Sequence, residues 1–166
     1  MYPGITPTPP RPAEYWNAMR EYLRGDAGLT TLMGGLPSVH LIGEEYTKGA
    51  EDTQWSRVVI VPVTLAFPTR GNASRERLLR VLARAETHLP VSRPDVVGLK
   101  LDALHVRLEA LLSGWRPEGL DYGQARLHMW LYDPASAAPM WDEGADVWWA
   151  SAEYRAVLHP PGVGGA

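Results

Sequence analysis

Five histidines, at positions 40, 88, 105, 128 and 159, are the side chains of this sequence that ordinarily titrate near neutral pH. They are scattered singly. His40 and His128 both fall in segments of strand character, and sheet pairing could bring them together with Glu44 or Glu45. Such a set would suit acid/base work or a metal ion in a small enzyme. The ordinary reading is a half-buried or surface histidine in each strand. His105 lies beside Leu101 and Leu108 on the apolar side of a helical pattern, where a packed histidine is expected. The carboxylates Glu44, Glu45, Glu51 and Asp52 gather around a predicted hairpin. Two carboxylates divide acid and base roles only where their surroundings separate their pKa values. A hairpin end is solvated, so these four read as charged surface or as one side of a contact between subunits.

The remaining chemical signatures are missing. The chain has no cysteine, which excludes disulfides, thiolate metal sites and thiol nucleophiles and suits an intracellular protein. No glycine-rich loop precedes a lysine in the phosphate-cradling pattern, and "GGLPSVHLIG" has the wrong spacing for a dinucleotide fingerprint. There is neither an H-E-x-x-H pair nor a G-x-S-x-G elbow. A net charge of −3 and a pI of about 5.9 argue against a general binder of nucleic acid or anionic membrane. The longest apolar run, 58–67, is interrupted by Pro62 and Thr64 and is far short of a membrane span.

Two features point to contacts. Arg77, Arg80 and Arg84 fall at i, i+3 and i+7 of a predicted helix, forming a basic face without interleaved aromatics. That face reads as solvated surface or as a subunit salt-bridge surface. Phosphate contact is the weakest of its readings. The segment "MWDEGADVWW" carries Trp141, Trp148 and Trp149. Adjacent tryptophans on a strand point to opposite faces, so one of the last two must leave the main core. Trp141 and Trp149 are candidate interface anchors, with core packing of the last strand, or a sheet covered on both sides, as the other reading. An acidic hairpin and a basic helix on one chain would suit head-to-tail contact in a ring.

The 166 residues fit one domain, placed at 12–159 between an extended proline-rich arm over 1–11 and a flexible tail over 160–166. The spacing of Tyr15, Met19, Tyr22 and Leu23 predicts a helix over 12–24, opened by Pro12 and stopped by Gly25. Asp26 can cap a short second helix over 27–33 that buries Leu29, Leu32 and Met33 and ends at Gly34. Strands are predicted over 39–46 and 54–67, paired as a hairpin, with Pro62 at an edge or a bulge. Helices are predicted over 74–89 and 101–113, and strands over 125–132 and 147–158. The order predicts an α+β domain: a single, mainly antiparallel four-stranded sheet with helices packed on one face.

The unit "LRGDAGLTTLMGG", following the first helix, resembles the start of tail terminator (tail completion) proteins of long-tailed bacteriophages. The matching residues are Leu23, Asp26, Leu29, Leu32, Gly34 and Gly35. The later order also resembles that family: a long strand, a predicted crossing helix over 74–89, and a closing strand carrying "EYRAVL". The resemblance implies a structural virion protein of the tail neck, made in the host cytoplasm. It would be a subunit of a homohexameric ring that caps the tail tube and joins it to the head connector. Its partners would be itself, the tail tube protein and the head–tail connector protein. It would need no catalytic residue, metal or cofactor, and no membrane or specific nucleic acid. A different neck or tail component, such as a head–tail connector or tube protein, is the nearest alternative. On this reading the interface residues are Glu44, Glu45, Glu51, Asp52, Arg77, Arg80, Arg84, Trp141 and Trp149.

Overall fold

The computed structural model describes residues 12–44, 56–65, 77–88, 94–116, 126–133, 139–144 and 146–159. The elements are α1 (Pro12–Arg24), α2 (Ala27–Leu32), β1 (Val39–Leu41), β2 (Ser56–Leu65), β3 (Arg77–Thr87), α3 (Pro94–Leu112), β4 (Arg126–Asp133), β5 (Met140–Asp142) and β6 (Val147–His159). The predicted arm and tail lie outside the described residues.

The strands form one mixed sheet in the order β1-β2-β3-β6-β4, with β5 also paired to β6. All pairings are antiparallel except β1 with β2. The mainly antiparallel α+β prediction stands, but five strands lie abreast rather than four, and short β5 falls in a stretch read as loop.

Two local readings are overturned, and the helix predicted over 101–113 begins seven residues earlier, at Pro94, in a stretch read as loop. β1 and β2 run parallel, with His40 opposite Val59, so they are not a hairpin. β1 ends at Leu41, and Gly43 at φ 87° turns the chain away before it can double back along β2. Residues 77–87 are the strand β3, not a helix. Arg, Leu and Ala favour helices intrinsically, but this segment lies between β2 and β6 and is paired on both sides along its length. Burial there alternates: Val81, Ala83 and Ala85 are buried on one face, with Arg80, Leu82 and Arg84 on the other.

α1 and α2 form as their sequences indicate. The Asp26 carboxylate accepts from the Leu29 amide at 2.7 Å, capping α2. Gly34 and Gly35 follow at φ 93° and 97°, a conformation that suits glycine and stops the helix. Asp26 is also gripped by Arg107 of α3 through two bonds, of 2.9 and 2.6 Å. That guanidinium holds the Asp26 carboxyl below its usual range. The α1–α2 turn is thereby tied to α3, as is Tyr22, which stacks on Trp115 at 5.1 Å and donates to the Leu111 carbonyl.

All three helices contribute to one core on one face of the sheet. Across β2, β3 and β6 the rows on that face are Val58–Ala85–Ala150, Ile60–Ala83–Ala152 and Pro62–Val81–Tyr154. The four alanines make a low floor on which Leu101, Leu104 and Leu108 of α3 are fully buried. Met19 and Leu23 of α1, beside β1 and β2, and Leu29 of α2, beside α3, complete the core. Pro62 lies beyond the end of the β1 ladder, at the edge position its missing donor requires.

Candidate interaction surface

The alternating residues of the same strands make the other face of the sheet, and no described helix covers it. Its rows are Arg57–Glu86–Trp149, Val59–Arg84–Ser151, Val61–Leu82–Glu153 and, at the described end, Arg80–Arg155. Glu86 and Glu153 are only 3% and 7% exposed. A buried carboxylate must be paired, and each of these sits between two arginines. Glu86 pairs with Arg57 and, at 2.9 Å, with Arg84. Glu153 pairs with Arg80 and, at 3.7 Å, with Arg155. The four arginines remain between 21% and 30% exposed. The charged part of the face that meets its surroundings is therefore arginine, interspersed with half-buried Val59, Val61, Leu82 and Trp149, with the acids underneath. Arg80 and Arg155 stand directly opposite across two strands, an arrangement that repels unless something bridges it. Glu153 is that bridge.

Trp149 lies on this face under Arg84, whose guanidinium carbon is 4.5 Å from the ring centre. Trp141 lies on the helix side, its ring 5.4 Å from that of Trp148. The adjacent tryptophans thus diverge as expected, and Trp141 and Trp149 occupy opposite faces of the sheet rather than one patch. Arg84 also approaches Asp142 at 3.6 Å. Of the arginines expected on a helix, Arg80 and Arg84 share this sheet face, and Arg77 opens β3.

Beside this face, at the β1 edge, is an open cleft of about 290 Å³ lined by His40, Glu44, Arg57, Arg84, Glu86 and Asp142 among others. Glu44 is not a solvated hairpin carboxylate. It pairs with Arg20 and, at 3.8 Å, with Arg24. Burial opposes its charge, but the Leu41 amide and the two arginines outweigh burial and hold its carboxyl below the usual range. Glu45, Glu51 and Asp52 lie outside the described residues.

The β1 edge is closed by the chain itself. The outward amide of Val39 donates to the Pro37 carbonyl at 2.9 Å, and the Val39 carbonyl accepts from Arg24 Nε at 2.8 Å. The Leu41 amide donates to Glu44 Oε2 at 2.9 Å, and the Leu41 carbonyl accepts from the Glu44 amide at 3.0 Å. With these groups occupied, β1 cannot take on another strand there.

The enzymatic arrangement is not formed. His40 is on β1 and His128 on β4, at opposite ends of the sheet. His40 aligns through Val59 and Arg84 with Ser151, whereas His128 aligns with Val157. The two backbones are separated by roughly 19 Å across the strands and roughly 20 Å along them. Burial, then Arg24 and Arg57, push the His40 imidazole below its ordinary value. His105 packs on β6 with Nε2 2.9 Å from the Ala150 carbonyl, and burial likewise lowers its pKa. Among the described residues no group of three histidines or carboxylates is placed to hold a metal ion. No described helix is long and apolar enough to cross a membrane.

Sequence reasoning found Arg80, Arg84 and Trp149 but missed Arg57, Glu86, Glu153 and Arg155. Each is an unremarkable charge in its own segment. Only the register of three strands assembles them.

No family model matches the chain, and no curated protein matches it. Among solved structures it is similar to a chain in the virion of a native gene transfer agent (GTA) particle, with a TM-score of 0.55 and 17% identity over 86% of this chain and 92% of that one. The two share a fold. A second solved chain matches at a TM-score of 0.43 and 14% identity, over 87% of this chain and 95% of that one, a likeness too slight to argue from.

Proposed function

We propose that this chain is a structural virion protein: a tail terminator that forms a ring, caps the tail tube and joins it to the head connector. The observation that carries the reading is the fold shared, over nearly the whole of both chains, with a component of a gene transfer agent virion. The described surface agrees with it. The clearest built feature is a charge-pinned sheet face, which is suited to a protein partner, and the histidines of the enzymatic alternative stand far apart. The α1–α2 unit then has a structural role, since Asp26 caps one helix and anchors another.

The ring is proposed as a homohexamer, with Arg80, Arg84 and Trp149 on the contact face and Glu44, Glu45, Glu51, Asp52, Arg77 and Trp141 as further candidates. Light scattering on the purified chain tests this. Six chains of 18.4 kDa give a species of about 110 kDa. Added to growing tail tubes, the protein should stop elongation and appear as a cap at one end by electron microscopy. Polymerisation of the protein into tubes would assign it to the tube instead, and binding only to the connector would make it a connector component. A chain that stays monomeric and ignores both overturns the reading.

A further inference from the structure

The outer side of α3 carries a stripe opposite in character to the arginine face. Asp95, Leu99, Asp102, Val106 and Glu109 follow one another at spacings of four, three, four and three, which keeps them on one side of the helix. All five are exposed, and Leu99 and Val106 are the most exposed large hydrophobics among the described residues, at 74% and 61%. The buried stripe of Val97, Leu101, Leu104, Leu108 and Leu112 lies on the other side of the helix, against the sheet. The outer stripe therefore faces away from the sheet. The only cations flanking it on α3 are Lys100, which is half-buried, and Arg107, which is engaged by Asp26.

We propose that subunits join head to tail by laying this acidic stripe of α3 across the arginine-plated sheet face of the next copy. The inference rests on the ring reading above and names its interface. Three observations carry it. The first is charge: carboxylates at three successive steps of one surface meet guanidiniums already fixed by Glu86 and Glu153 on the other, so little side-chain freedom is lost on docking. The second is reach. The stripe from Asp95 to Glu109 is about 21 Å long at 1.5 Å per residue. The arginines run along the strands from the register of Arg57 to that of Arg80, about 20 Å. The third is the apolar component. Leu99 and Val106 alternate with the acids, while Val59, Val61, Leu82 and Trp149 lie among the arginines. The capped edge of β1 closes one alternative, extension of the sheet from copy to copy at that end. Unlike surfaces on one chain make a heterologous contact, which closes into a ring when the rotation per copy permits.

The absence of cysteine makes the test clean. Light scattering and melting curves are measured on the wild type and on the Asp102→Lys/Glu109→Lys variant. Oxidative cross-linking is measured on Val106→Cys, Ser151→Cys and the double variant. The expected result is a wild-type ring, a reversal variant with an unchanged melting curve, and an assembly concentration for it raised at least about tenfold. The doubly substituted chain should give a ladder of linked species up to the ring number. Each single variant should give none alone, and a linked pair when the two are mixed. A wild-type ring with no ladder overturns this interface and leaves the ring reading standing, whether or not the reversal dissociates it. A wild type that is monomeric at every concentration, with no ladder, overturns both.

Discussion

On the helix side of β3 and β6, four alanines lie under the leucines of α3. On the other side of the same two strands, two buried glutamates are each held between arginines. The backbone is common to both faces and the residues alternate between them, so the contrast comes entirely from side chains. The helix face is stabilised by excluding water and by close packing. The open face contains charges that had to be desolvated and then compensated, which gives little net stability. A chain gains little folding energy from such a face. On the proposed reading, its value lies in presenting guanidiniums at fixed positions.

The largest expected effect falls on the helix face. Leu104 is fully buried above the alanine floor, and Leu104→Ala should cost about 3 kcal/mol in chemical denaturation, because the lost methylenes leave a cavity. A cost under about 1 kcal/mol would mean that the layer is loosely packed and that the contrast between faces is overstated.

On the open face the prediction has two arms. Arg84→Ala removes one of the two partners of a carboxylate that is 3% exposed, and should cost about 2 kcal/mol. Replacing the whole set, Arg57→Leu/Arg84→Leu/Glu86→Leu, should restore stability to within about 1 kcal/mol of the wild type, since buried ion triads are replaceable by apolar groups. If the triple variant is as unstable as the single one, the charges hold the fold and their assignment to assembly loses its basis.

These two faces were unequally legible in the sequence. α1 and α2 could be read residue by residue, because their signals are local: Pro12 at the start, Gly25 at the stop, Asp26 as cap and Gly34 as terminator. The alternation of β6 was legible too, and it assigned Ala150, Ala152 and Tyr154 to one face. β3 was not. Leu78, Leu82 and Ala85 fit a helical period, and Leu82 interrupts the polar alternation of Arg80, Arg84 and Glu86 that marks the strand. The triads were illegible for a different reason. Arg57, Glu86, Glu153 and Arg155 come from three strands far apart in sequence, and no local pattern encodes a register. The parallel direction of β1 is also a tertiary property, and the turn-like composition of 47–53 suggested a hairpin instead.

A smaller effect should separate the two sides by pH. His105 lies on the sheet side of α3 and His40 beside the open face, and burial lowers the pKa of both below the ordinary 6.5. Their unfolded forms take up a proton first as pH falls. The stability they contribute is therefore complete above about pH 6.5 and declines below it, toward each folded pKa. Asp26 and Glu44 are shifted downward as carboxylates, so their share is lost only at pH values below their ordinary 3.8 and 4.5. A falling melting temperature between pH 7 and 5 should thus be a histidine effect. His105→Gln and His40→Gln should each flatten it, because burial is the first cause of both shifts. An equal slope in all three proteins would remove the histidines from the account.

The least effect on folding is expected at the outer stripe of α3. Leu99→Ser and Val106→Ser remove large side chains that are 74% and 61% exposed and so are mostly in water in the subunit. Each should change the denaturation midpoint by an amount within about 0.5 kcal/mol, the range of ordinary surface substitutions. The informative quantity is then the ratio of two losses. Leu104, one turn and a fraction away on the same helix, should lower stability severely. Leu99 should leave stability unchanged while weakening self-association, since an aliphatic side chain that folding leaves in water gains burial only from a partner. Measured by denaturation and by light scattering on the same samples, the two leucines should exchange rank between the assays. A Leu99→Ser protein that loses stability but keeps its assembly state would show that α3 is packed on both sides within the subunit, and would leave the arginine face without its complement.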